Sequence, residues 1–334
     1  MRFEHRPPTE RHTWIEAPFN DNRAVWQHLM ADEVWRIDYQ MAPNADPEFV
    51  SRESEVRARL RRQFGEDVQC ELVWVGPYAY RSQCLERLRH GSVFFLGDTA
   101  KIVNPFGARG GNSGIADADN LAWKLAAVHH RLAPAALLRS YDEERLQAAQ
   151  ENVLVTRRTA RFLRPADGIE RTFRSAAIGL AKKYPFARAL INTGRMAVAN
   201  QYTRSGICSK GGGSSVQNVP IQWADGSEGC LNDLLSWADG RLLLLVFGPL
   251  DKATQAHLRQ ISRYMPVRCA QVPEAREPAQ ALEHVRDAQA LLRKTCQLGE
   301  HRWALVRPDS YLAATGARVN AGLVHAIERA LALR

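Results

Sequence analysis

A chain of 334 residues with 45% hydrophobic and 24% charged residues has the composition of a globular protein, excludes the disordered and fibrous classes, and is long enough for two ordinary cores. Its longest apolar run, Leu242–Phe247, is far short of a bilayer span, and its polar N-terminus has no secretory h-region, so the expected setting is the cytoplasm with no membrane partner. The net charge of +9 lies within residues 151–210, where twelve Arg or Lys accompany three Asp or Glu; the interspersed apolar residues describe an amphipathic helical region with a basic solvated face, which argues against nucleic acid as a partner.

In chain order, residues 34–42 alternate as a strand. Residues 53–65 read as a short helix closed by a glycine cap. Residues 70–80 read as a strand pair interrupted by Gly-Pro, and residues 91–98 as a short buried strand ending abruptly in Gly-Asp. From Gly114 the period becomes helical, with Ile115, Ala118, Ala122, Leu125 and Ala126 on one face. Residues 134–163 open on proline and continue as a long helix, and residues 185–195 carry a shorter one. The glycine-rich stretch 205–215 reads as a polar spacer and domain boundary. Beyond it come a short helix, the Leu242–Phe247 strand, a helix over 251–265, a strand at Val267–Val272, a second helical pattern over 281–296, a hairpin-like pair over 302–316 and a closing helix. Strands and helices alternating over the last ~110 residues suggest a small α/β sandwich.

Six cysteines (Cys70, Cys84, Cys208, Cys230, Cys269 and Cys296) are too dispersed for a CxxC pair or a zinc knuckle, and neither HExxH nor a Walker A loop occurs. Free thiols, no metal site and no nucleotide hydrolysis are therefore expected.

The chemistry concentrates in "GDTAKIVNPFGARGGNSGIADADNLAWKLA", residues 97–126. Asp98 stands where a strand emerges, so its carboxylate can accept hydrogen bonds from the polyol of a nucleotide cofactor or can cap the following turn. Pro105 restricts the next turn, while Gly107, Gly110, Gly111 and Gly114 permit backbone conformations closed to other residues. Bare amides at a helix start attract an anion or an electron-rich carbonyl, of which a phosphate and a flavin's N1–C2=O edge are two candidates.

This stretch resembles the second flavin-binding motif of the FAD-dependent aromatic hydroxylases, the class A flavoprotein monooxygenases. Residues 137–162 resemble that family's long C-terminal helix, and residues 35–48 resemble a strand of its substrate-covering sheet. The tail, with "LLLLVFG" and "VRPDSYLAA", is similar to the thioredoxin-like domain of the phenol and hydroxyphenylpropionate hydroxylase branch. The resemblance implies an α+β FAD/substrate domain followed by a thioredoxin-like α/β domain. Residues 1–90 would be the rest of the substrate-covering sheet, 91–204 the flavin motif and long helices, 205–215 a linker, and 216–334 the thioredoxin-like domain.

It also implies FAD as cofactor, NAD(P)H as co-substrate and a phenol-like aromatic small molecule as substrate. Asp98 would hold the ribityl hydroxyls, Gly110, Gly111 and Asn112 would present backbone at the ring's pyrimidine edge, and Gly97 and Gly107 would also belong to the cofactor site. Pro105 would lie beside the ring, and Arg109 would supply positive charge there. The sequence departs from the family pattern at Lys101, usually His, and at Asn104, often Pro. No GxGxxG strand–helix unit precedes Gly97, so the expected form is a partial FAD domain lacking its N-terminal dinucleotide-binding unit. Such a chain would depend on a separate FAD-binding polypeptide or a homo-oligomer, or would persist as a non-catalytic interaction module. Arg307 and Asp309 read as an ion pair that stabilises a turn.

Overall fold

The computed structural model describes all residues except 6, 8–10, 167, 192–197, 274–281, 288 and 334. It divides into two compact units, one of residues 1–81 with 156–193 and the other of residues 82–155 with 194–334.

In the first unit, Arg11–Ala17, Arg23–Leu29 and Trp35–Tyr39 form an antiparallel sheet in that order, with Val25 opposite Tyr39. The Glu53–Phe64 helix carries acidic residues in its first turn and ends at Gly65, whose φ of 101° suits glycine. Gln63 joins this helix to the sheet: it accepts from the Tyr39 hydroxyl at 2.5 Å and donates to Gln27 Oε1 at 2.9 Å. Ala17, Val25, Trp35, Val56 and Leu60 are buried in this unit. Of the strand pair expected over 70–80, only Cys70–Glu71 forms, against Arg2–Phe3. The Ile169–Lys183 and Pro185–Ile191 helices complete the unit, and the expected extension of the latter to 195 lies outside the described residues.

The second unit is built on a seven-stranded mixed sheet. Its spatial order is Glu228–Cys230, Pro220–Trp223, Glu283–Arg286, Val267–Val272, Leu242–Phe247, Trp303–Val306 and Leu312–Gly316. Leu242–Phe247 pairs parallel with Val267–Val272 and antiparallel with Trp303–Val306. All six of its side chains are buried because both faces of the sheet are covered. Leu242, Leu244 and Val246 face one core, and Leu243, Leu245 and Phe247 face the other, as the two-residue period of a strand requires.

The first of these cores corrects the expectation of a separate thioredoxin-like domain. It contains Leu258 and Ile261 of the Lys252–Tyr264 helix and Leu323 and Ile327 of the Ala321–Ala330 helix. It equally contains Trp123 and Ala127 of the Arg109–His129 helix, and Ala133 and Leu137 beyond it. One face of the C-terminal sheet is thus completed by the helix of the glycine-rich motif, and the two share a single core. The stretch 205–215 is stitched into the same body. Ser209 and Gly213 donate backbone bonds to Ala313 and Leu312 at 2.9 and 2.7 Å, and Ile207 and Cys208 are buried.

Candidate functional site

Gly97, Asp98 and Thr99 form a single 3-10 turn, entered by Gly97 at φ 60° and closed by the Thr99 hydroxyl donating to Leu96 O at 2.7 Å. The strand expected over 91–98 reduces to Val93–Phe94 paired with Arg89–His90. A second short ladder, Lys101–Ile102 with Gln83–Cys84, leads into the Pro105–Ala108 turn. Gly107 and Ala108 both have positive φ, 79° and 53°. The Arg109–His129 helix then begins, three to five residues earlier than the sequence pattern placed it, so that Gly110 and Gly111 stand in its first turn.

No side chain caps that helix start, and no acidic residue lies in its first turn. A Cβ on Gly111 would meet nothing within 4 Å, and one on Gly110 would meet only Val103 Cγ2 at 3.6 Å. Gly114, by contrast, is a packing glycine, because its Cβ would come within 3.3 Å of Gly97 Cα. The turn at 97–99 and the first turns of the helix are therefore in near contact. Asp98, Pro105, Gly107, Gly111 and Asn112 are exposed there. The Asp98 carboxylate has no hydrogen-bond or ion-pair partner among the described residues, so it does not serve as a cap. Open amides beside a free carboxylate fit the cradle that a flavin's ribityl chain and pyrimidine edge require.

Arg109 is not brought to this face. It is 7% exposed, and its guanidinium donates inward to Asn152 Oδ1 at 2.6 Å and Val198 O at 2.8 Å. Asn112 donates its side-chain amide to Ala108 O at 2.8 Å, closing the turn on itself. Two surface concavities, one beside Trp303, Gly316 and Gly322 and the other beside Trp223 and Asp225, do not reach residues 97–114.

The most consequential difference from the sequence reading is the orientation of the Arg109–His129 helix. The apolar stripe expected to be buried is exposed, with Ile115 at 70% and Leu125 at 41%. The buried face is polar: Ser113, Asp117, Asn120 and Lys124, at spacings of four, three and four, alongside Leu121 and Trp123. Facing them from the Arg139–Leu163 helix are Glu144 and Arg145, both fully buried.

Two charge clusters result. In the first, Asp117 is gripped by Lys101 and by Arg145, whose Nε donates to Asp117 Oδ1 at 2.6 Å. In the second, Glu144 accepts from Lys124 at 2.8 Å and from both Arg307 terminal nitrogens at 2.6 and 2.9 Å. Arg307 also pairs with Asp309 at 2.9 Å, as the sequence suggested, and Asn120 bridges Glu144 and Asp309. Burial pushes Lys124 down to about 8. Burial alone would raise Glu144, but Arg307 and Lys124 outweigh it and hold the carboxyl below the usual range. Of these contacts only the Arg307–Asp309 pair was read from the sequence; the partners of Asp117, Lys124 and Glu144 left no trace there beyond a polar stripe at helical spacing.

A family model described as an FAD binding domain matches residues 3–156. The chain is 30% identical over 286 residues to 6-methylpretetramide 4-monooxygenase of Streptomyces rimosus, covering 82% of this chain and 50% of that protein. It is 28% identical over 291 residues to a 3-(3-hydroxy-phenyl)propionate/3-hydroxycinnamic acid hydroxylase of Klebsiella pneumoniae, covering 84% and 52%. The chain thus spans about half the length of these curated relatives. Among solved structures, the flavin-dependent monooxygenase PieE in complex with FAD and substrate aligns with 98% of this chain and 62% of its own, at a TM-score of 0.74 and 20% identity.

Two expectations are corrected by these matches. The FAD binding domain model matches from residue 3, so the residues ahead of Gly97 are corrected to FAD-binding-domain sequence. The alignment with this α+β fold runs along 98% of the chain, which replaces the expected separate thioredoxin-like addition. No described helix is long and apolar enough to cross a membrane. With FAD-binding-domain sequence over residues 3–156 and hydroxylases among the relatives it matches, the chain is similar to the FAD-dependent monooxygenases of the aromatic-hydroxylase kind.

Proposed function

We propose that the chain acts in hydroxylating a phenol-like aromatic ring, with FAD as cofactor, NAD(P)H as electron donor and O2 as oxidant. The observation that carries this reading is the uncapped start of the Arg109–His129 helix, with open space over Gly111, beside the unpartnered carboxylate of Asp98. The substrate class is supported by the hydroxyphenylpropionate hydroxylases among the relatives and by an aklavinone-11 hydroxylase structure holding FAD and aklavinone.

Bound FAD would supply the redox chemistry, taking reducing equivalents from NAD(P)H and passing one oxygen atom of O2 to the ring. The residues of this chain bind and orient. Asp98 accepts from ribityl hydroxyls. The amides of Gly110, Gly111 and Asn112, at an uncapped helix start, would hold the pyrimidine edge of bound flavin, where the helix dipole would favour negative charge. Pro105 and Gly107 shape the turn beside the ring. Arg109 acts from below, holding the helix start through Asn152 and Val198 rather than touching substrate.

Titration with FAD, followed by flavin fluorescence, tests the reading directly; absence of saturable binding by the wild-type chain would sink it. Gly111→Val supplies a sharper check. Gly111 has no left-handed φ and its Cβ has free space, so valine should leave the melt within about 1 kcal/mol of wild type, near the helix-propensity difference. The same side chain would occupy the ring-edge space and weaken FAD by about tenfold, comparable to one lost hydrogen bond. Equal affinity in the two proteins would place the flavin elsewhere.

A further inference from the structure

Asp117 is fully buried, yet the flavin contacts above do not use it. Its Oδ2 accepts the backbone N–H of Gly97 at 2.9 Å and also the Lys101 ammonium. Its Oδ1 accepts from Arg145, which is itself fixed by the Tyr202 hydroxyl at 2.7 Å and by Ser113 O at 3.2 Å. One carboxylate oxygen therefore holds the residue before Asp98 and the residue three after it. Gly114 lies against Gly97 from the same helix, so the turn is clamped by contact as well as by charge.

We propose that Asp117 is a positioning residue that fixes the 97–101 turn and so aims the Asp98 carboxylate at the ribityl hydroxyls. The proposal rests on the flavin reading given above. An ion pair serving stability alone would not require the Gly97 amide. Here that amide shares the oxygen that binds Lys101, and the backbone direction at Asp98 follows from it.

The test combines FAD titration with hydrogen exchange of the amides of residues 97–100 in the FAD-free chain. Asp117→Asn keeps the shape but has one acceptor oxygen, which the charged Arg145 guanidinium claims over the neutral Gly97 amide, so Gly97 loses its partner. Because that variant also unbalances the buried charge, Lys101→Met/Asp117→Asn is measured beside it. The double variant retains the wild-type balance, with Arg145 alone replacing two cations and one anion. Both variants should weaken FAD about tenfold, the scale of a lost hydrogen bond, and should speed exchange at Gly97. The double variant should recover part of the melt lost by Asp117→Asn, having one fewer unpaired buried cation, without regaining affinity.

Wild-type affinity in the double variant, or unchanged exchange at Gly97, overturns the proposal while leaving the flavin reading standing. A wild-type chain that binds no FAD overturns both together.

Discussion

Replacing Arg307 with methionine is expected to destabilise the second unit by about 3–5 kcal/mol, the scale for removing one partner from a buried ion cluster. Arg307 is fully buried and makes a two-pronged contact with Glu144 and another with Asp309. Its guanidinium also lies 5.3–5.6 Å from the ring centres of Trp123, Tyr202 and Tyr311. Lys124, Arg307, Glu144 and Asp309 together are neutral; methionine fills similar volume but leaves one uncompensated negative charge out of water. Because the cluster joins the Arg109–His129 helix to the turn after Trp303–Val306, the loss should appear as earlier melting of the whole unit. A chain whose residues 216–334 melted in a transition of their own, with the rest unaffected, would contradict the shared core.

The same cluster sets a pH dependence. Glu144 has a folded pKa below its ordinary 4.5, so its ionised form is favoured by folding. Its contribution is fully present above about pH 4.5 and is lost as the pH falls through the lower folded value. Glu144→Gln should therefore start less stable at pH 7 and lose less stability than wild type on acidification below pH 4.5. Parallel acid-denaturation curves for the two proteins would show that Glu144 is not held in this way.

The elements that sequence reading located well are those decided locally. Glu53–Phe64 has acidic residues at its start and a glycine at its end. Lys252–Tyr264 follows an Asp251 cap that accepts from Thr254 N at 2.7 Å. Leu242–Phe247 is too short and too apolar for anything but a covered strand. Where reading failed, distant partners decided. Residues 281–296 look helical, but 283–286 form a strand because Val267–Val272 and Pro220–Trp223 both pair with it. The two-residue ladders at 83–102 likewise exist only through their pairing.

The Arg109–His129 helix gives the clearest physical lesson. Periodicity identifies a face without saying what surrounds it, and here two stripes compete. Ile115, Ala118, Ala122 and Leu125 form the apolar stripe, while Ser113, Asp117, Asn120 and Lys124 form the polar one. The second is buried because complementary charges reach it from far along the chain. Glu144 comes from 20 residues beyond Lys124, and Asp309 from 189 beyond Asn120. A buried polar residue is stable only with such partners, and no single-sequence pattern reveals them. The glycine-rich start of the same helix was legible because its signal is conformational and local.

Asp98→Ala should weaken FAD by about 10- to 150-fold, corresponding to about 1.5–3 kcal/mol for hydrogen bonds to a charged acceptor. The folded chain should hardly register the change, because Asp98 is exposed and its carboxylate has no partner among the described residues. This separation is what makes the substitution informative. A capping aspartate would lose fold and ligand together, whereas an aspartate reserved for ligand loses affinity alone. Asp98→Asn should fall between wild type and alanine, since it keeps an acceptor oxygen but loses the charge. Isothermal titration with FAD, paired with circular-dichroism melts, distinguishes these cases. Loss of melting temperature in proportion to loss of affinity would return Asp98 to a structural role. Unchanged affinity with an unchanged melt would remove it from the site, and the open first turn at Gly110–Asn112 would then have to hold the flavin without a ribityl acceptor.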